Sequence, residues 1–338
     1  MKSVPPQPVS ATSGIGLLGL GIYLPERVMT NEEWTHRVET SEEWIVARTG
    51  IRRRRIAATS ESTVDLAVAA ARAALNDCSL GPGDVAEIIV ATDTPEVSVP
   101  DTASFVQHRL GAREVPSYDL AGSGCAGFLQ ALDLARSRIV CGVGPVLVVG
   151  VELLSRMIDA HDRNTAVLFG DAAGAAIVAR DAGAAEILGA VAGTDGSRGG
   201  ILGIEVGGTR MPVTLELAQQ GLHQHVTMNG REVFREAVRR MTEAAQQVLA
   251  KCGVAPADLA LVVPHQANLR IIEAQSKMLR LPLEKFAINI QEYGNTGSAS
   301  IPLALWEARR DGRIAPGDLV LLTSFGAGLH WAAVLLRF

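Results

Sequence analysis

Residues 117–139 read SYDLAGSGCAGFLQALDLARSRI, and how they fold decides the architecture of the chain. The opening residues read as a short strand, Gly122-Ser123-Gly124 as a tight turn, and a helix is predicted to begin at about Cys125. Apolar positions 125, 128, 129 and 132 define that helix, because i, i+3, i+4, i+7 spacing puts them on one face. A strand feeding a helix through a glycine turn is the building unit of α/β folds, in which strand ends open onto a ligand crevice. A thiol at a helix N-terminus feels the positive end of the dipole, so the sequence predicts a Cys125 with a lowered pKa and thiolate character. Gly122, Gly124 and Gly127 leave room for a substrate to approach the sulfur.

Working outward, the same alternation continues on both sides. AEIIVAT (86–92), VLVVGVE (146–152), GAAIVA (174–179), LALVVPH (259–265) and LVLLTS (319–324) are buried-strand runs, and the first leads into a helical segment from about Pro100 to Leu110. The two halves can be overlaid. Asp84-Val85-Ala86 resembles Asp258-Leu259-Ala260, GPVLVVGVE resembles GDLVLLTSF, and GDAAGAAIV resembles FGAGLHWAAVL. Asp119-Leu120 ahead of Cys125 resembles Asn289-Ile290 ahead of Asn295, so this overlay sets Asn295 on the position of Cys125. Matches in one order point to a duplicated αβ unit: a flexible tail over 1–13, one half over 14–183 and a second over 184–338.

Composition narrows the function classes. With 48% hydrophobic and 20% charged residues the chain is ordinary globular material, and a net charge of −5 gives no general attraction for nucleic acid. The start, MKSVPPQPVSATSG, has Pro and Ser where a signal peptide needs an apolar stretch, and no run of 18 apolar residues spans a membrane. The four cysteines, at 78, 125, 141 and 252, have no metal-ligand spacing and read as free thiols of a cytoplasmic protein. Cys78, Cys141 and Cys252 are expected to be packing residues. The basic run Arg52–Arg55 reads as a surface strand or an ion-pair cluster.

Two further residues stand out by position. His265 ends the strand LALVVPH, where an α/β fold faces its crevice. Asn295 lies in YGNTGSASIPLAL, a glycine-punctuated loop entering a helix.

TSEEWIVARTGIRRRRIA (40–57), DLAGSGCAGFLQAL (119–132), DRNTAVLFGDAAGA (162–175), PHQANLRII (264–272), YGNTGSASIPLAL (293–305) and SFGAGLHW (324–331) together resemble the thiolase-fold β-ketoacyl-ACP synthases III, in the order and spacing of that family. The resemblance implies a thiolase-like α/β fold, two pseudo-symmetric halves in a layered αβαβα sandwich. It implies decarboxylative condensation of an acyl-CoA primer with malonyl-acyl carrier protein, through an acyl thioester on Cys125. His265 and Asn295 would stabilise the enolate, and the backbone amides of Cys125 and Ala327 would form an oxyanion hole. Thr40, Trp44, Arg48, Arg163, Gly230 and Asn268 match positions that bind CoA and pantetheine. Arg235, Arg270 and Lys277 match a basic patch for acidic carrier protein, and Val99 and Phe325 match the acyl pocket, Val99 from across a homodimer. No metal or redox cofactor is implied.

The chain departs from the commonest pattern of that family at several points. Gly124 stands where Ala is usual, GDAAGA replaces a GDGAGA-like run, Gly297-Ser298 replaces Ser-Ala, and His330 replaces a frequent Thr. Val99 is smaller than the common aromatic and predicts room for a branched or longer primer. An acyltransferase of secondary metabolism and a 3-hydroxy-3-methylglutaryl-CoA-synthase-like enzyme are the alternatives, the latter needing Asp93 or Glu96 as base near the cysteine; a non-catalytic CoA-binding scaffold is another. Gly14-Ile15-Gly16-Leu17-Leu18-Gly19 fits G-x-G-x-x-G, but no strand precedes it and Tyr23-Leu24-Pro25 follows where a helix is required, so it is set aside.

Overall fold

The computed structural model describes residues 14–180, 183 and 185–338; the tail expected over 1–13 lies outside them. Nine strands build the main sheet: β1 (Ile15–Tyr23), β2 (Glu87–Thr92), β3 (Ser117–Ala121), β4 (Val146–Leu153), β5 (Asp171–Arg180), β6 (Ala185–Thr194), β7 (Leu259–Pro264), β8 (Leu319–Gly326) and β9 (His330–Arg337). They lie in the order β7-β8-β9-β6-β1-β5-β4-β2-β3. β2 pairs in parallel with β3 and β4, and β7 with β8; the remaining neighbours are antiparallel. β1 and β6 join over only Gly16↔Glu186 and Leu17↔Ala185, so the sheet divides there into two halves.

The helices that matter are α1 (Glu42–Thr49), α2 (Thr63–Asp77), α3 (Thr102–Leu110), α4 (Gly127–Val140), α5 (Gly230–Cys252), α6 (Leu269–Leu279) and α7 (Ser300–Arg310). Strand alternation sorts them into layers. On β4, Val146 and Val148 face a central cluster with Phe128, Leu129 and Leu132 of α4 and Ile301, Ala304 and Leu305 of α7. Leu147, Val149 and Val151, on the other face, pack on α2 and α3 through Leu66, Ala70, Ala71 and Val106. In the second half, Val320 and Leu322 of β8 join the central cluster, while Leu321 packs on Val248 of α5 and Ile272 of α6. The result is helix, sheet, helix, sheet, helix. Apolar side chains on both faces explain why the strand runs looked continuous in sequence. Each large aliphatic side chain so buried contributes roughly 1.5–3 kcal/mol.

The repeat is visible in the element order, with one correction to its register. A 3-10 turn over Gly124–Ala126 runs directly into α4 at Gly127, and a 3-10 turn over Gly297–Ala299 runs directly into α7 at Ser300. Cys125 therefore corresponds to Ser298, not to Asn295. Asn295 stands three residues earlier, in the turn that leads to that position. The helix expected at Cys125 starts at Gly127 instead.

The G-x-G-x-x-G run lies at the entrance of β1 itself, with no strand before it among the described residues, in keeping with its being set aside. Other expectations change. Arg54 is not on the surface: it is fully buried on the strand Arg53–Ile56, donating to Asn31 Oδ1 at 2.8 Å and to the Val167 carbonyl. Burial lowers its pKa to about 10, which leaves it charged at neutral pH. Its neighbour Arg53 pairs with Glu292 as an exposed ion pair. Cys141, expected inside, is exposed at the end of α4, whereas Cys78 and Cys252 are half-buried.

Candidate active site

Cys125 sits where β3 turns into α4. Gly124 has φ +58°, and a Cβ there would lie 2.5 Å from the Ala327 nitrogen. A Cβ on Gly326 would lie 2.3 Å from the Cys125 nitrogen. Two glycines thus allow the nucleophile turn and the loop after β8 to touch backbone to backbone, which brings the amides of Cys125 and Ala327 together. Ser324 fastens the contact, donating from Oγ to the Cys125 carbonyl at 2.6 Å. Asp93 fastens the other side, accepting from the Gly124 amide at 3.2 Å.

His265 follows β7 and is 2% exposed. Its backbone nitrogen donates to the Thr323 carbonyl at 2.8 Å, and its Nδ1 lies 2.6 Å from Ser300 Oγ. With Nδ1 occupied, Nε2 is the nitrogen left for the cavity that His265 lines. Burial lowers its pKa to about 3, so the ring is neutral at neutral pH.

Asn295 is held by its backbone to Leu168 and Gly170, at 2.8 and 2.9 Å. Its Oδ1 accepts from the Gly297 amide at 2.9 Å, which leaves the amide nitrogen as the donor the side chain can offer in the cavity it shares with Cys125. Sulfur, imidazole and carboxamide therefore line one cavity of about 850 Å³.

The Cys125 thiol is not depressed as the helix-dipole argument predicts. Burial first and then Asp93 push its pKa well above the ordinary thiol value, outweighing the backbone and Asn295 contacts that favour the thiolate. α4 also begins two residues beyond the sulfur, which weakens the dipole at that point.

From these buried groups the cavity reaches exposed residues: Arg48, Gly230 and Arg270 line it, with half-buried Trp44 and Asn268. The Arg163 and Arg48 guanidiniums lie 5.0 and 5.6 Å from the Trp44 ring centroid. Asn268 caps α6, accepting from the Arg270 amide, and its Nδ2 reaches the Arg48 carbonyl at 3.1 Å. Thr40 does not line the cavity, though its Oγ1 is buried without a partner. Arg235 and Lys277 are exposed on α5 and α6 and lie outside the cavity wall. Phe325 lines it and is buried. Val99 does not: it is 85% exposed, so within this chain it cannot shape the pocket.

Asp93 also lines the cavity, whereas Glu96 lines only a neighbouring recess and accepts from the Val64 amide at 2.9 Å. Sequence reasoning missed Ser300, Ser324 and Glu152. Ser300 and Ser324 lie inside quoted motifs, and Glu152 is the charged residue ending an apolar strand, which was the available signal for it.

Residues 118–196 match the family described as 3-oxoacyl-[acyl-carrier-protein] synthase III, and residues 249–338 match its C-terminal part. A relative from Caldanaerobacter subterraneus named beta-ketoacyl-[acyl-carrier-protein] synthase III is 47% identical over 96% of this chain and 97% of its own length. The chain belongs to the 3-oxoacyl-[acyl-carrier-protein] synthase III family. A second relative of the same name, from Symbiobacterium thermophilum, is 48% identical over 96% of this chain and 98% of its own. The crystal structure of the synthase III from Aquifex aeolicus superposes with a TM-score of 0.89 at 44% identity, covering 96% of this chain and 100% of that one. The priming β-ketosynthase of the R1128 polyketide pathway reaches 0.87 at 36% identity over 96% of both chains. The fold of this synthase III family member is accordingly thiolase-like. Among its described residues no helix is long and apolar enough to cross a membrane.

Proposed function

We propose that this synthase condenses an acyl-CoA primer with malonyl-acyl carrier protein, giving β-ketoacyl-carrier protein, CO2 and free CoA. The observation that carries this reading is the convergence of Cys125, His265 and Asn295 on one cavity that reaches the surface beside Trp44 and Arg48. Cys125 attacks the primer thioester, the tetrahedral oxyanion accepts from the Cys125 and Ala327 amides, and the thiol proton leaves with CoA. Malonyl-carrier protein then loses CO2. His265 Nε2–H and the Asn295 amide hold the enolate oxygen, and its carbon attacks the acyl-Cys125 carbonyl, breaking the carbon–sulfur bond and releasing the Cys125 thiolate, which takes a proton from water. Two neutral donors aimed at a developing oxyanion contribute about 3 kcal/mol each. For Nε2 to carry the proton, the Ser300 hydroxyl must donate to Nδ1, which the 2.6 Å contact accommodates. Side chains and backbone amides supply every step, with no metal or redox group taking part.

Trp44 and Arg163 would hold the adenine, and Arg48, Gly230 and Asn268 would line the pantetheine arm. Thr40 would join them from just outside the wall. Exposed Arg235, Arg270 and Lys277 would attract an acidic carrier protein. A homodimer formed along the edge strand β3 would cover Val99 and set it against the partner's acyl pocket. The chain would work in the cytoplasm, and the tail and halves expected at 1–13, 14–183 and 184–338 would be its organisation.

Intact-protein mass spectrometry after incubation with acyl-CoA tests the first half-reaction and CO2 release tests the second. Cys125→Ser is expected to take no acyl group. His265→Ala and Asn295→Ala are expected to acylate without condensing, and normal condensation by both would overturn the assignment.

A further inference from the structure

A buried carboxyl that this reaction does not use lies behind the nucleophile. Glu152, at the end of β4, is 1% exposed. Its Oε2 accepts from Thr94 Oγ1 at 3.0 Å, and both carboxyl oxygens accept from the Asp93 amide, at 3.2 and 3.1 Å. Its Oε1 lies 3.0 Å from Ser298 Oγ. That hydroxyl also lies 2.9 Å from the Ala91 carbonyl, which can only accept. Ser298 has one proton and makes at most one full hydrogen bond as donor, not two. Both contacts are satisfied when the Ser298 proton goes to Ala91 and the Glu152 carboxyl supplies its own.

The surroundings demand the same. Asp93 is the adjacent carboxyl, half-buried on the cavity wall; burial raises its pKa too, but it accepts from the Gly124 amide in the turn that seats Cys125, which favours its charged form. Two acids this close do not both ionise. Burial and then Asp93 raise the Glu152 pKa well above the usual carboxylate range, outweighing the hydrogen bonds to its oxygens that favour the charged form.

We infer that Glu152 is a protonated, neutral acid that ties the Asp93–Thr94 segment beside the nucleophile turn to the Asn295–Ser298 turn, a positioning residue for both. Packing at Gly297 supports the tie: a Cβ there would fall 2.6 Å from Glu152 Cγ, so this side chain braces the turn that aims Asn295. Neutrality has a chemical purpose. A charged Glu152 would oppose the Cys125 thiolate and the enolate alike, in a site where little water screens it. The protonation state rests on the Ser298 contacts together with burial beside Asp93; its effect on turnover rests on the proposed condensation.

Infrared difference spectra of wild type against Glu152→Gln, with acylation and condensation rates for E152Q and E152A, test this. The expected spectrum loses one protonated-carboxyl stretch in E152Q. The Gln amide can donate to Ser298 and accept from Thr94 and Asp93, so E152Q should condense within about threefold of wild type. E152A should lose about 10- to 100-fold in kcat with KM little changed. No carboxyl band lost from E152Q, or an E152Q as inactive as E152A, overturns the inference. The spectrum decides it even where E152A fails to fold. Wild type that acylates but releases no CO2 from malonyl-carrier protein would instead sink the condensing reaction and leave the band intact.

Discussion

Acidification should expose the cost of keeping His265 neutral. The ring is 2% exposed and its folded pKa falls to about 3 through burial, against 6.5 in the unfolded chain. A depressed folded pKa means that the unfolded state binds the extra proton first, so stability is present above pH 6.5 and drains away as pH falls toward 3. At one pKa unit per 1.36 kcal/mol, His265 alone removes about 2.5 kcal/mol between about pH 7 and pH 4.5. Urea unfolding of wild type and His265→Asn across that range measures the difference; Asn retains a short polar group near Nδ1 but has no imidazole to titrate. The variant should lose about 2.5 kcal/mol less than wild type over the interval. Parallel loss in the two proteins would refute the buried, neutral imidazole. So would a condensation rate that titrates with an ordinary histidine pKa, since the hydrogen-bond donor proposed here keeps one charge state through the neutral range.

Three more outcomes follow from the geometry. Trp44→Ala removes the ring flanked by Arg48 and Arg163; at about 0.5–2 kcal/mol for such stacking, KM for acyl-CoA should rise roughly 3- to 30-fold with kcat nearly unchanged in steady-state assays. Charge reversal at Lys277, exposed on α6, should raise KM for malonyl-carrier protein several-fold at low salt, with the difference shrinking as salt is added. Arg54→Met leaves Asn31 Oδ1 and the Val167 carbonyl without their donor, and chemical denaturation should show a loss of about 2–4 kcal/mol.

Much of this was legible in the chain. The strand runs 86–92, 146–152, 174–179, 259–265 and 319–324 all became strands of the main sheet, because residues buried on both faces leave an unbroken apolar signature. The positions of Cys125, His265 and Asn295 at strand and helix ends were readable for the same reason. The register of the repeat was not, since matching Asp119 to Asn289 compares residues whose jobs differ: Asp119 accepts from the Thr102 and Ala103 amides, while Asn289 donates to Glu307. The state of the Cys125 thiol was beyond local reading too. Its helix was visible, but the burial and the Asp93 carboxyl that oppose the thiolate come from elsewhere in the chain, Asp93 from just after β2. Arg54 looked like surface because its partners, Asn31 and Val167, are distant in sequence.

The hydrogen bond from Ser324 to the Cys125 carbonyl has an implication for biosynthesis. It spans 199 residues and comes from the penultimate strand of the sheet. During synthesis the sulfur would leave the ribosome long before the segment that clamps its turn, so the nucleophile would become competent only when the last strands dock. A chain cut short before β8 would then carry its thiol without the loop that brings the Ala327 amide to it.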